Sequence, residues 1–340
     1  MTGIHSAKTI LENIQAINGA KVVITTHHKP DADAMGSSLG LRQFLIHMGC
    51  SVTVITPTDY ASFLKWMKGE AHTIVFEDQV EEATRITQEA DFIFCLDFNQ
   101  LSRINEYGDV VGNAKGLKIL IDHHQYPEGF EDFTYWDDKA SSTCELVYRF
   151  IHEAGKADAI DADTAACLYT GIVTDTGSFR FSSCSSQTMR IAADLMDKGI
   201  DHSSIFDSVY DSFSESRVKF IGYAISQKLE VLPEYKTALI TIDHEELKRF
   251  NITTGDTEGL VNYGLSIEGI RFAVLIIDRS KLVKMSFRSK GTFAANVFAM
   301  NHFNGGGHFH AAGGSSTDDL NTTIAKFKSA LINYKDQLHG

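Results

Sequence analysis

Residues 21–33 read K-V-V-I-T-T-H-H-K-P-D-A-D, a short β-branched run that ends in a group of histidines and aspartates. The run has the composition of a buried strand, and the apolar spacing of residues 34–48 is typical of a helix. Three similar runs follow, each after a helical or polar segment, at residues 51–56, 92–96 and 117–121. Strands that alternate with helices predict an α/β fold, in which a parallel sheet carries helices on both faces.

The remainder of the chain changes to helices and then back to strands. Apolar residues recur at spacings of three and four in four segments, 141–154, 163–175, 187–198 and 214–227. Strand patterns return after Pro233, at 236–242, 271–277 and 281–288, and helical patterns follow near 293–301 and 320–338. We therefore predict a first domain over residues 1–212, a linker helix over 213–232 and a smaller α/β domain over 233–340, across a cleft from the first.

The composition is that of a globular protein outside the membrane. Hydrophobic residues make up 43% of the chain and charged residues 22%, and we find no run of the roughly 18 apolar residues that a membrane span needs. The start lacks the basic-then-apolar pattern of a secretory signal. The five cysteines are widely spaced and form no C-x-x-C motif, which favours reduced thiols over a zinc site. We expect a cytoplasmic protein with no membrane partner.

The net charge of −13 is distributed unevenly along the chain. Residues 1–213 contain 16 Lys+Arg and 31 Asp+Glu, whereas residues 214–340 contain 15 and 13. The acidic part suits cation binding, and the mildly basic part suits a small anion. No long basic stripe tracks a duplex. A short single-stranded nucleic acid or a nucleotide is therefore favoured over duplex nucleic acid. The oligomeric state stays open, with a homodimer among the alternatives.

Histidine and aspartate side chains recur where the predicted strands and one helix end. They are His27, Asp31 and Asp33 after the first strand, Asp97 after the run 92–96, His123 after the run 117–121, and Asp175 at the end of a helix. Because the carboxyl ends of parallel strands lie at one edge of a sheet, the fold would collect these six residues.

Such a collection of carboxylates predicts bound cations. Four carboxylates packed together repel one another, and without cations at least one would take up a proton. Carboxylate oxygens and imidazole nitrogens suit Mn²⁺, with Mg²⁺ as the harder alternative. Two such ions about 3.5–4 Å apart form a clamp for in-line attack on phosphorus. The sequence thus predicts a phosphoesterase with two divalent metal ions.

These motifs resemble those of the DHH family of phosphoesterases, named for the triplet that is Asp122-His123-His124 here. The H-x-x-P-D-x-D pattern matches residues 27–33, and the family's L-D and T-D-T-G patterns match residues 96–97 and 174–177. T-E-G-L-V-N at 257–262 and G-G-G-H at 305–308 resemble the accessory substrate domain, DHHA1. The resemblance extends over nearly the whole chain.

The resemblance implies a role for each residue of the cluster. His27 and Asp31 would hold one metal, Asp33, His123 and Asp175 the other, and Asp97 would bridge the two. Asp122 would orient a neighbouring ligand, and His124 would contact the scissile phosphate. His28 is adjacent to His27, and only the spacing before Pro30 favours His27 as the ligand.

Candidate substrate-binding residues lie mainly in the accessory domain. Arginine forks onto phosphate oxygens, and successive glycines let backbone N–H groups converge on an anion. The candidates are Arg103, Arg288, Ser289, Gly305, Gly306, Gly307, His308 and His310. Ser141-Ser142-Thr143 is instead predicted to cap the following helix.

Three hydrolytic functions share this predicted site. Small members of the family degrade very short RNAs and dephosphorylate 3′-phosphoadenosine 5′-phosphate, and the resemblance implies these activities first. A phosphodiesterase for cyclic or linear dinucleotides is the alternative. An inorganic pyrophosphatase fits the G-G-G-H motif poorly, and a long-strand exonuclease would need further domains. A binding module without catalysis would require the whole ligand set to be present yet idle.

Overall fold

The computed structural model describes residues 5–340. Contacts divide the chain into two compact units, with the boundary after Ser212. Each unit contains one six-stranded sheet. No helix within residues 5–340 is long and apolar enough to cross a membrane.

Helices and strands alternate through the first unit. Its strands are β1 (Lys21–Thr26), β2 (Ser51–Thr56), β3 (Ile74–Val75), β4 (Phe92–Leu96), β5 (Leu117–Asp122) and β6 (Phe133–Trp136). Its helices are α1 (Ala7–Gln15), α2 (Ala32–His47), α3 (Val80–Gln88), α4 (Tyr107–Asn113), α5 (Thr143–Glu153), α6 (Ala162–Asp175), α7 (Ser186–Asp197) and α8 (His202–Tyr210).

The sheet of the first unit is parallel, with the strand order β3-β2-β1-β4-β5-β6. The α/β class that the alternation predicts is therefore confirmed. The chain builds outward from β1 to β3 on one side and then from β4 to β6 on the other. Ligands of such sheets bind beyond the carboxyl ends of the strands at this change of direction. Thr26 pairs with Leu96, so β1 and β4 end at the same level there.

Helices cover both faces of this sheet because its strands are apolar on both faces. Alternate residues of β1 belong to different cores: Val22 and Ile24 pack with α1, α2, α5 and α6, whereas Val23 packs with α3 and α4. The first of these cores is the larger, and it supports α2 and α6, which carry Asp33 and Asp175.

The second unit has a mixed sheet in the order β11-β12-β10-β9-β8-β7. Its strands are β7 (Leu229–Leu232), β8 (Thr237–Ile242), β9 (Phe272–Asp278), β10 (Val283–Ser289), β11 (Gly306–His308) and β12 (Ala311–Ser316). Its helices are α9 (Glu215–Tyr223), α10 (His244–Arg249), α11 (Leu260–Leu265), α12 (Ala295–His302), α13 (Leu320–Leu331) and α14 (Lys335–His339). Only β8 and β9 pair in parallel among its described strands.

Two segments of the second unit differ from the sequence-based expectation. The segment 213–232, predicted to be a linker helix, is helical only in part, because residues 229–232 form β7 and pair with β8. The single helix expected over 320–338 is interrupted by a 3₁₀ turn at Ile332–Tyr334. In the first of these places, strand pairing overrides a local helical pattern.

Candidate metal centre

His27 lies in the loop after β1, and its side chain points toward the carboxylates of the cluster. Its Nδ1 lies 2.9 Å from the carbonyl oxygen of His28, and because a carbonyl can only accept, Nδ1 carries the proton. Its Nε2 then lies 3.5 Å from Asp97 Oδ2 and 3.9 Å from Asp31 Oδ2. His28 turns its Nδ1 to the carbonyl of Arg103 instead, at 2.9 Å. The geometry favours His27 as the metal ligand.

The start of α2 fixes both aspartates of the P-D-A-D segment. Asp31 is the N-cap, and its Oδ1 accepts the backbone N–H groups of Asp33 and Ala34. Asp33 in turn accepts backbone N–H groups from the start of α5, at 2.7 Å from Thr143 N and 2.9 Å from Cys144 N. Asp33 is therefore held between two helices.

Asp97 lies at the centre of the cluster, directly after β4. Its φ of 63° falls in the left-handed region, which is uncommon outside glycine and often marks functional sites. Its two oxygens face different neighbours: Oδ2 is 3.5 Å from His27 Nε2, and Oδ1 is 3.5 Å from His123 Nε2. This is the geometry expected of a carboxylate that bridges two ions.

His123 and Asp175 complete the other side of the cluster. His123 Nδ1 lies 3.1 Å from the carbonyl of Ala140, so this ring is also oriented with Nε2 toward the carboxylates. Nε2 lies 3.5 Å from Asp175 Oδ2 and 3.8 Å from Asp33 Oδ2. Asp175 is the last residue of α6. The side chains of Asp31 and Asp175 are 49% and 29% exposed, so the cluster opens to solvent on their side.

The six predicted residues thus form two potential metal-binding groups. One group is His27, Asp31 and Asp97, and the other is Asp33, His123 and Asp175. Within each group the possible ligand atoms lie within 4.8 Å of one another. The donors are carboxylate oxygens and imidazole nitrogens without a thiolate, which fits hard or intermediate divalent ions.

The electrostatics of the protein alone are unfavourable for so many carboxylates. Burial and the nearby charges of Asp97 and Asp175 raise the pKa of Asp33. Burial is also the main reason that the pKa of Asp175 is raised to about 7. Although burial opposes it, the hydrogen bond to Asp97 and the charge of Asp31 raise the pKa of His27 to about 9. Bound cations would take the place of these protons.

Asp122 and His124 form a hydrogen-bonded pair beside the two groups. His124 Nδ1 lies 2.8 Å from Asp122 Oδ1 and 3.7 Å from Asp97 Oδ1. Asp122 is fully buried at the end of β5, and Trp136 Nε1 donates to the carbonyl of His124 at 2.7 Å. The carboxylate fixes the imidazole plane, as an orienting residue would.

Arg103 lies close to the loop that follows β1. Its carbonyl accepts from both the backbone N–H and the side chain of His28. Its charge acts to lower the pKa of His27, which indicates that the guanidinium is near the cluster. Its buried Nε has no hydrogen-bond partner among residues 5–340. These features are consistent with a phosphate contact, which stays a prediction.

In the second unit, Arg288 and His308 share one face of the sheet. Arg288 pairs with Ala311 across β10 and β12, and Ala311 pairs with His308 across β12 and β11. Directly opposed residues project to the same face of a sheet. The small side chain of Ala311 therefore lies between the positively charged Arg288 and the imidazole of His308 on this face.

Two glycines of the triplet lie in a strand in the structure. Gly306 and Gly307 belong to β11, next to β12. Gly307 has a φ of 133°, and a Cβ there would lie 2.6 Å from Ala311 O. A Cβ at Gly305 would lie 2.1 Å from Gly313 O. Close approach of the two strands is thus one reason for glycine here, beside any contact with an anion.

Ser289 and His310 contact each other beside this hairpin. His310 Nδ1 lies 3.0 Å from Ser289 Oγ, and the backbone N–H of Ser289 donates to the carbonyl of His310. Ser289 is buried, and its hydroxyl also lies 2.6 Å from Phe293 O. The pair anchors the turn between β11 and β12, and its predicted substrate contact stays a prediction.

Two residues near the cluster were not among the candidates from the sequence. Thr143 Oγ1 donates to Asp97 Oδ1 at 2.9 Å, although its segment was predicted only to cap α5. Ser142 is the actual N-cap, which confirms that part of the expectation. Gly171 of α6 packs against Asp33, since a Cβ there would lie 2.8 Å from Asp33 Oδ1. No local motif indicates either contact, because each joins distant segments.

Comparisons with known proteins agree with these motifs. The model of the DHH family, N-terminal domain, matches residues 21–172, and that of the DHHA1 domain matches residues 236–334. The chain is 40% identical to a crystal structure described as an exopolyphosphatase-related protein from Bacteroides fragilis, with a TM-score of 0.93 and 98% of each chain covered.

Several curated proteins are similar over most of their length. The chain is 30% identical to the bifunctional oligoribonuclease and PAP phosphatase NrnA of Thermus thermophilus, covering 90% of this chain and 87% of that protein. The probable NrnA of Streptococcus mutans is 29% identical, at 91% and 93% coverage. A cyclic-di-AMP phosphodiesterase of Bacillus subtilis is 26% identical, but the match covers only 49% of that protein. From its motifs, its site and these similarities, the chain belongs to the DHH family and carries a C-terminal DHHA1 domain.

Proposed function

We propose that the protein is a metal-dependent phosphoesterase that hydrolyses short oligoribonucleotides and removes phosphate from 3′-phosphoadenosine 5′-phosphate. The observation that carries the proposal is the pair of potential metal-binding groups, which contact each other through the two oxygens of Asp97. Two divalent ions, Mn²⁺ before Mg²⁺, fit these oxygen and nitrogen donors.

The residues of the cluster would have different roles in such a reaction. His27, Asp31 and Asp97 would hold one cation, and Asp33, His123, Asp175 and Asp97 the other. Cations bound there would polarise a phosphoryl group and lower the pKa of an attacking water. His124, oriented by Asp122, would direct Nε2 at the substrate phosphate and stabilise charge on its oxygens.

The second unit supplies candidate residues for binding the remainder of the nucleotide, Arg288 and His308, which we call the candidate nucleotide grip. Arg288 would fork onto a phosphate or carboxylate-like group, and His308 lies two strands away on the same face. Ala311, which lies between them, would contact a ribose or base. A short ligand suits this arrangement, in agreement with the absence of a long basic stripe in the sequence.

The named activities of the full-length relatives favour short RNA and the adenosine bisphosphate over cyclic dinucleotides. The NrnA relatives match this chain over about nine tenths of both sequences, whereas the match to the cyclic-di-AMP phosphodiesterase covers only 49% of that protein. We further propose a reducing, cytoplasmic location, because all five cysteines are free thiols.

A substrate panel tests the proposal. RNAs of two to ten nucleotides, 3′-phosphoadenosine 5′-phosphate, a cyclic dinucleotide, pyrophosphate and polyphosphate are each incubated with the protein and Mn²⁺. We expect the highest kcat/KM on the dinucleotides, activity on the adenosine bisphosphate, and loss of both when EDTA is added before Mn²⁺. A preference for the cyclic dinucleotide or for pyrophosphate would replace the proposed substrate. Full turnover in EDTA would exclude the metal-dependent reaction itself.

A further inference from the structure

The segment 140–145, at the start of α5, contacts three of the six clustered residues. The carbonyl of Ala140 accepts from His123 Nδ1. The backbone N–H groups of Thr143 and Cys144 donate to Asp33. The hydroxyl of Thr143 donates to Asp97 Oδ1 at 2.9 Å. One short segment thus touches both potential metal-binding groups.

The hydroxyl of Thr143 is not needed for the helix itself. The N-cap of α5 is Ser142, whose Oγ accepts the backbone N–H of Glu145 at 3.0 Å. Thr143 is the first helical residue and is fully buried, and its hydroxyl donates to Asp97. A buried hydroxyl that is directed at a neighbouring carboxylate, and that the helix does not use, points to a role in the site.

Glu145 holds this segment in place from the other side. Its buried Oε2 accepts from Ser141 Oγ at 2.7 Å and from the backbone N–H of Ser141 at 3.3 Å. The same oxygen accepts from Thr188 Oγ1 of α7 at 2.8 Å. Three donors to one buried carboxylate oxygen restrain the loop that leads into α5, and thereby the position of Thr143.

We propose that Thr143 is a positioning residue that sets which oxygen of Asp97 faces each metal-binding group. Because the carboxylate torsion of an aspartate is broad, its plane needs an external restraint. The bond from Thr143 holds Oδ1 toward the group of Asp33, His123 and Asp175, so Oδ2 faces His27. Without it the carboxylate can turn, and one ion loses a ligand. This inference rests on the proposed function, since it needs the bound metal pair.

The test compares three threonine variants of the full-length protein in the absence of substrate. Thr143→Val removes the hydroxyl with little change in volume, and Thr143→Ser restores it. Thr170→Val is the matched control, because Thr170 is also a fully buried helical threonine and its hydroxyl donates to the carbonyl of Ala166 in its own helix. Calorimetric titration gives the Mn²⁺ affinity, and electron paramagnetic resonance gives the fraction of coupled Mn²⁺ pairs. Thermal unfolding in EDTA shows whether each variant is folded.

We expect Thr143→Val to weaken the second Mn²⁺ equivalent by about 10- to 100-fold, as loss of an orienting partner does, and to reduce the coupled signal. Thr143→Ser should stay near wild type, and Thr170→Val should bind as wild type does. Equal metal binding by Thr143→Val and Thr170→Val would overturn the inference. If Thr143→Val unfolds, Thr143→Ala takes its place with the same expected loss. Failure of every variant and of wild type to bind Mn²⁺ would instead refute the metal site of the proposed function.

Discussion

Asp97 combines a left-handed backbone with two carboxylate oxygens that face different histidines. Asparagine tolerates this backbone well, whereas alanine there would cost about 1–2 kcal/mol. We therefore predict that Asp97→Asn folds normally but loses its bridge between cations. Charge stabilisation by a metal is worth several kcal/mol, so kcat on a dinucleotide should fall by more than about 100-fold.

The matched control for this change is Asp109→Asn, because Asp109 is exposed on α4. It should leave kcat and the melting temperature unchanged. Rates are measured under saturating Mn²⁺, and thermal unfolding checks the fold of both variants. If Asp97→Asn turned over like Asp109→Asn, Asp97 would not be a bridging ligand.

The raised pKa values of His27 and Asp175 predict that cations and protons compete for the cluster. Near neutral pH without metal, His27 is charged because its pKa is about 9, and Asp175 is partly protonated because its pKa is about 7. Metal binding needs the neutral imidazole and the carboxylate, so it should release protons, and the cation affinity should rise with pH. Calorimetry in buffers of different ionisation enthalpy counts the released protons. A count of zero at pH 7 would contradict this prediction.

The same two pKa shifts give the metal-free protein a defined pH dependence of stability. His27 stabilises the fold while it is charged, and this contribution is lost as pH rises toward about 9. Folding favours the protonated form of Asp175, so its contribution is lost as pH rises from its ordinary value to about 7. Both effects have the same sign. The melting temperature in EDTA should fall from pH 6 to pH 9, and added Mg²⁺ should reduce the fall.

At the scale of the elements, the contact between α2 and α6 determines where Asp33 lies. A Cβ at Gly171 of α6 would lie 2.3 Å from Cys144 Sγ and 2.8 Å from Asp33 Oδ1. We predict that Gly171→Ala destabilises the protein by about 1–3 kcal/mol through overpacking, and also weakens cation binding. Denaturant unfolding and calorimetry measure the two effects.

Gly222 supplies the control for the effect of helix propensity. It lies in α9, and a Cβ there would meet no described atom within 4 Å. Gly222→Ala should therefore stabilise the protein by about 0.5–1 kcal/mol and leave cation binding unchanged. Stabilisation by Gly171→Ala as well would show that the two helices can separate without disturbing Asp33.

Strands with apolar, β-branched or aromatic sequences could be predicted from the sequence. Strands that form only because a neighbouring strand pairs with them could not. The runs 21–26, 51–56 and 92–96 are apolar and β-branched or aromatic, and each forms the strand expected. By contrast, β12 reads A-A-G-G-S-S, which has little intrinsic strand preference and pairs because β10 lies beside it. The short β7 likewise forms a strand because it pairs with β8.

The candidate site follows a similar division. The clustered residues could be identified because a parallel sheet brings its strand ends together, whatever the distances along the chain. The contact between Thr143 and Asp97 spans 46 residues and depends on the exact entry of α5. Likewise, Gly171 acts through the absence of a side chain. Such contacts require the packed structure, since hydrophobic periodicity contains no information on them.

For the whole molecule, the metal cluster and the candidate nucleotide grip lie in different compact units. We predict that Arg288→Ala raises KM for dinucleotides by about tenfold or more, because a hydrogen bond to a charged group is worth about 1.5–3 kcal/mol. The Mn²⁺ affinity should not change, because a guanidinium does not ligate metal ions and all six clustered residues belong to the first unit. Steady-state kinetics and calorimetry measure the two quantities.

Lys281→Ala is the control for the loss of a positively charged side chain from the same unit. Lys281 is exposed and precedes β10, whereas Arg288 lies near the other end of that strand. KM should stay at the wild-type value in this control. An unchanged KM in Arg288→Ala would place the grip on the nucleotide elsewhere.

The strand order of the first unit has a consequence for the kinetics of folding. The half of the sheet from β1 to β3 brings His27, Asp31 and Asp33, whereas Asp97 and His123 come from the half that begins at β4. Each metal-binding group therefore draws on both halves, and a chain with only one half formed contains neither group complete. Cations should then leave the refolding rate nearly unchanged and slow unfolding, because their binding energy is gained only after the two halves have joined.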